Sequence, residues 1–137
     1  MTKLPPYIMA YTATWPTQAQ AHFADLRHLV HEVAAAIDVG PLDESLKWGQ
    51  PAWRPRRART GSTLRVDWSP ATPDRLLAFV DCKTDIAAQM DLRFPGQFGN
   101  DGRRAMGFDL EGALPRDALW QLAHMTLAYH RNKRASA

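Results

Sequence analysis

A single cysteine, Cys82, is all the thiol chemistry this chain has. No intramolecular disulfide can form, which fits a reducing compartment, and no paired-cysteine motif is present. Long apolar runs are missing too. No stretch approaches the ~20 apolar residues of a membrane span. The opening MTKLPPYIMAYTATWP is too interrupted by proline for a signal peptide. The expected location is cytoplasmic, with no membrane partner. The Walker loop and the glycine-rich dinucleotide fingerprint are both absent. FPGQFGNDG has three glycines but does not join a strand to a helix. Ser45, Ser62, Ser69 and Ser136 are the only serines, and none sits in a nucleophile elbow. A hydrolase or a nucleotide-bound oxidoreductase is therefore not expected.

What is present is an ordinary globular composition. Apolar residues make up 45% of 137, and charged residues 23%. That length suits one domain, 1–137, able to bury a core without staples. The expected core spans about 17–132, with 1–15 and 133–137 peripheral. The net charge is +3, and the excess is local. RPRRAR carries Arg54, Arg56, Arg57 and Arg59, and HRNKR ends the chain. Such clusters can meet phosphates. The plainer expectation is a solvated loop and tail, so nucleic acid is not the expected partner.

Periodicity gives the elements. Phe23, Leu26, Val30, Val33 and Ile37 form one apolar stripe, predicting a helix over 17–37. Thr17 and Gln20 match a capping box at its start. PLDESLKW reads as a short second helix ended by Gly49. PAWRP, TLRVDWS and RLLAFVDC read as strands with short linkers, hence antiparallel. KTDIAAQMDLRF reads as a helix, and RRAMGFDLEG as a strand with Met106, Phe108 and Leu110 inward. A last helix runs from Pro115 to about 132, and its apolar arc is wide enough to suggest a homodimer contact or a ligand groove. The predicted fold is α+β: four to five antiparallel strands with helices mainly on one face, in the order α-α-β-β-β-α-β-α.

ESLKWGQPAW, residues 44–53, is the most specific segment. Pro51 biases Gln50 toward an extended backbone, and two tryptophans flank a rigid corner. Its core, Lys47-Trp48-Gly49-Gln50-Pro51-Ala52-Trp53, resembles the motif of the YdhG-like family, a domain of unknown function catalogued as 1801. The similarity in order and hydrophobic pattern extends over roughly 22–131. It implies a compact sheet-and-helix domain. A relative described as a frataxin-like intracellular iron chaperone implies iron as a conceivable cargo.

Three sets of candidate residues follow. Trp48, Trp53, Trp68 and Trp120 could wall a small-molecule pocket, with Gln50 orienting the ligand. This non-catalytic binding role is the leading expectation. Asp67, Asp81 and Asp109 lie in predicted strands and would suit a hard cation such as iron if they converged. Arg54, Arg56, Arg57 and Arg59 would serve an interaction module that meets another protein or a nucleic acid. His28, His31 and Glu32 are spaced one helical turn apart, but HLVHE is not the zinc-protease pattern. Cys82 reads as a small hydrophobe at a strand end.

Overall fold

The computed structural model describes residues 3–136; residues 1, 2 and 137, at the ends expected to be peripheral, lie outside the described residues. Ten elements follow in chain order: α1 (Pro6–Thr12), α2 (Thr17–Ala36), β1 (Leu42–Lys47), β2 (Gln50–Pro55), β3 (Leu64–Trp68), β4 (Arg75–Phe79), α3 (Ile86–Arg93), β5 (Ala105–Asp109), α4 (Arg116–Leu127) and α5 (Tyr129–Ser136). The five strands form one antiparallel sheet in the order β1-β2-β3-β4-β5. The fold is α+β, as expected.

The sheet register sorts side chains onto two faces. Opposite residues share a face, and faces alternate along a strand. Glu44 pairs with Trp53, Trp53 with Leu64, Val66 with Ala78, and Ala78 with Met106. These residues, with Leu76 and Phe108, define an inner face packed under α2 and α4. Phe23 of α2 stacks on Trp53 at 5.9 Å between ring centres, and Trp15 meets Phe23 edge-on. Truncating a buried aromatic of this kind costs about 3–5 kcal/mol.

Four sequence expectations need correction. PLDESLKW is not a helix: residues 42–47 are strand β1. Leu42, Glu44 and Leu46 alternate toward the inner face, and that period of two outweighs the helix punctuation around it. Gly49 is accordingly no helix cap. Trp48 at φ +54° and Gly49 at φ +73° form a tight hairpin turn between β1 and β2, whose two left-handed residues suit the twist of the strands. The capping box also fails. Pro16 is the N-cap, and Gln20 donates instead to the Ala13 and Trp15 carbonyls.

The N-terminal stretch is not peripheral. Pro6 occupies the first turn of α1, where a missing amide costs nothing. Ile8 and Trp15 then enter the core. With α1 ahead of α2, two helices still precede the sheet, although residues 42–47 are a strand. Finally, the last helix breaks at Ala128 into α4 and α5. The wide apolar arc of α4 is taken up inside the chain, because α2, α3 and β3 all pack against it.

Candidate functional site

The tryptophans expected to share a pocket are dispersed. Trp53 is fully buried on the inner face, whereas Trp48 is 89% exposed at the hairpin tip. Trp68 is half-buried at the end of β3, its indole N–H donating to the Pro73 carbonyl. Trp120 lies on α4 with the Arg116 guanidinium 6.0 Å from its ring centre. Among the described residues, they do not wall a common cavity. Gln50 lies on the opposite face from Trp53, where its amide bridges Arg65 and Asp67.

The three aspartates also have separate partners. Asp67 accepts from Tyr11, whose hydroxyl burial and the Asp67 carboxylate push up to about 12. Asp109 pairs with Arg75 at 3.4 Å. Asp81 caps the backbone N–H of Lys83. Among the described residues, no three His, Cys, Asp or Glu side chains are grouped as a metal site requires. His28 and Glu32 are exposed, and Glu32 binds Arg116. Cys82 is exposed, not buried as a small hydrophobe would be.

Two charged clusters are built from β1 and β2, one on each face. On the inner face, Glu44 is almost wholly buried, its side chain 7% exposed. Arg27 Nε donates to Glu44 Oε2 at 2.6 Å, Arg27 Nη2 to Oε1 at 2.8 Å, and Trp53 Nε1 to Oε2 at 2.7 Å. His31 Nε2 stands 3.5 Å from Oε2, a longer and weaker contact. Burial alone would raise the Glu44 pKa. The contacts from His31, Arg27 and Trp53 overcome it and bring the value down to about 2. Both Glu44 oxygens are bonded within this cluster, which holds helix α2 to the sheet edge, although His31 Nε2 is buried there without a hydrogen bond of its own.

The outer face is different. Lys47 closes β1, Arg54 lies on β2, Arg65 on β3, Lys83 follows β4, and Arg104 precedes β5. All five line one groove of about 590 Å³, whose single carboxylate is Asp81 and whose rim carries Trp48. None of the five forms an ion pair with a described carboxylate. Arg65 is held over Phe79, 5.4 Å from the ring centre, and donates to Gln50 Oε1 at 2.8 Å. Its pKa is lowered, chiefly by burial and then by Arg104, with Asp81 acting in the opposite sense. A half-buried guanidinium pressed by a like charge is a costly arrangement.

Arg54 also opens onto two neighbouring depressions. One is lined by Arg56, Arg57 and Arg59, with Asp43 and Glu44 also in its lining, the other by Arg59, His130, Lys133 and Arg134. The four loop arginines are thus brought together, although Arg56 is already bonded to Asp43 at 2.9 Å. The loop is pinned from below. Ser62 N–H donates to the Thr126 carbonyl, Arg131 N–H to the Thr60 carbonyl, and Gly61 faces the Leu127 carbonyl with no room for a methyl. Lys47, Arg65, Lys83 and Arg104 were not singled out from sequence as ligand residues. Strand alternation holds part of the signal, since Lys47, Arg54 and Arg65 all fall on the polar face. The contribution of Lys83 and Arg104 depends on strand order.

Compared with known proteins, the chain matches no family model, no curated protein and no solved structure.

Proposed function

We propose that this domain is a non-catalytic binding protein for phosphate-bearing ligands, held on the outer face of its sheet. One observation carries the reading: five cationic side chains from separate parts of the sheet line one groove with a single carboxylate among them. Like charges so placed repel one another, and an anion between them removes the repulsion. Local rules broken without compensation within the chain are commonest at functional sites.

In this reading the YdhG-like motif has two roles. Trp53 and Glu44 hold the hairpin to the core. Lys47, Trp48 and Gln50 face the groove side, and Gln50 positions Arg65 rather than contacting an aromatic ligand's edge. Arginine suits such a site because its planar fork meets phosphate oxygens in pairs.

Thermal denaturation with inorganic tripolyphosphate at low salt tests the proposal. The expected result is a rise in Tm with ligand concentration, suppressed by salt and reduced in Arg65→Gln and Arg104→Gln. An unchanged Tm at low salt and saturating tripolyphosphate would sink it.

A further inference from the structure

Two features of the groove point beyond a single phosphate. The first is its extension. Arg54 lines three depressions, so the cations continue from Lys83 and Arg104 across Arg54 to Arg59, Lys133 and Arg134. A compact anion would fill one end of this track and leave the rest unneutralised. A chain with regularly spaced charge would fill it all.

The second is Trp48. It stands on the rim of the groove, 89% exposed, with a left-handed backbone at φ +54°. Both properties are unfavourable. A large apolar ring in water forgoes its burial energy, and a bulky residue at positive φ is strained where Asn or Gly would be at ease. The strain sits at the mouth of the basic groove, where an exposed ring can serve as a stacking platform for a planar group.

We infer that the outer face binds single-stranded nucleic acid, with the sugar-phosphate backbone along the Lys47, Arg65, Arg104 and Arg54 track and a base stacked on Trp48. The inference rests on the phosphate-binding reading above and names the ligand for that site. Basic grooves with aromatic platforms hold single strands because every base offers a π-face. A duplex is the wrong partner: its bases are already stacked on one another, and a side chain on the rim of a groove meets only their edges.

The test is fluorescence anisotropy with a labelled oligothymidylate of about 12 nucleotides, within the usual site sizes for such grooves. The comparators are an abasic oligomer of equal length, inorganic polyphosphate and a duplex. Trp48→Asn is the decisive variant, because Asn accepts the left-handed turn and the fold gains rather than loses stability. It should weaken oligothymidylate binding roughly 5- to 150-fold, the equivalent of one stacked base. Abasic binding should not change. Arg104→Gln should weaken both oligomers. Equal affinity of wild-type protein for the abasic and thymidine oligomers, or for the duplex, would overturn the inference while leaving phosphate binding standing. So would a Trp48→Asn protein that binds oligothymidylate unchanged. If neither oligomer nor polyphosphate binds at low salt, the inference and the phosphate-binding reading fall together.

Discussion

The β1–β2 hairpin carries charge on both faces, and the two faces treat it in opposite ways. On the inner side Glu44 is enclosed by Arg27, His31 and Trp53 at 2.6 to 3.5 Å. On the outer side, three residues from Glu44 along β1 and one from Trp53 along β2, Lys47 and Arg54 join Arg65, Lys83 and Arg104 around one carboxylate. A buried charge must find its partner within the chain, since water cannot supply one. A solvated charge can be left for a partner from outside. The inner cluster therefore serves the fold, and the outer one is free to serve a ligand.

The comparison is broken most severely from inside. Glu44→Gln replaces the buried carboxylate that Arg27 and Trp53 share with a neutral amide. The expected loss is about 3–5 kcal/mol of folding stability, as for other buried pairs with one partner removed, read by urea denaturation. Where the variant still folds, tripolyphosphate binding should be unchanged, because Glu44 faces away from the groove. A loss under about 1 kcal/mol, the scale of an exposed pair, would show that the Glu44 carboxylate holds the fold no more firmly than a surface charge.

Acid should do reversibly what that substitution does permanently. The Glu44 pKa is about 2 when folded, against 4.5 for a free side chain. A depressed carboxyl stabilises the fold above its unfolded pKa, and that stability is lost as pH falls toward the folded value. The window is therefore pH 4.5 to about 2. The difference corresponds to roughly 3 kcal/mol. Urea midpoints measured through this window should fall steeply in the wild type and less steeply in Glu44→Gln. Parallel curves would assign the acid loss to other carboxylates.

These two residues also show how far the sequence can be read. Class, strand pairing and most core positions follow from periodicity: Leu64, Val66, Met106 and Phe108 point inward as the alternation predicts. Glu44 is the obstacle. A charged residue on the buried face interrupts the alternation in LDESLK, so the segment reads as helical, although its neighbours Leu42 and Leu46 keep a period of two. Its partner Arg27 lies 17 residues away, on a helix whose apolar stripe gives no hint of an inward arginine. The groove is hidden for a related reason. Arg54, Arg65 and Arg104 are far apart in the chain and meet only once β2, β3 and the start of β5 are placed, and no local pattern encodes strand order. Trp48 and Trp53 share a motif but end on opposite sides of the sheet. Their spacing of five cannot reveal that when one of them occupies the turn.

A third change acts between the two faces. The loop carrying Arg56, Arg57 and Arg59 is held down at Gly61, where an added methyl would lie 2.0 Å from the Leu127 carbonyl oxygen. Gly61→Ala must push the loop off α4. The expected cost is about 1–3 kcal/mol, as for other overpacked sites, and it shows in Tm. Because Arg59 then shifts relative to Arg54, polyphosphate binding should weaken as well. Unaltered binding at reduced Tm would confine the site to the groove between Lys47 and Arg104.

The smallest expected effect on stability is the most informative about the outer face. Arg104 is exposed, and it depresses the pKa of Arg65. Replacing it with Gln removes a repulsive neighbour of Arg65 and a favourable neighbour of Asp101, and no ion pair, so the change in stability should stay within about 0.5 kcal/mol. Ligand binding should respond very differently. Every phosphate that the protein ceases to neutralise lowers the slope of log affinity against log salt by about 0.7 for a single strand. The measurement is that slope, taken for wild type and Arg104→Gln in parallel with their urea midpoints. An unchanged slope would mean that Arg104 meets no phosphate. A marked loss of stability would mean that the arginine serves the fold, and the contrast between the two faces would fail at that residue.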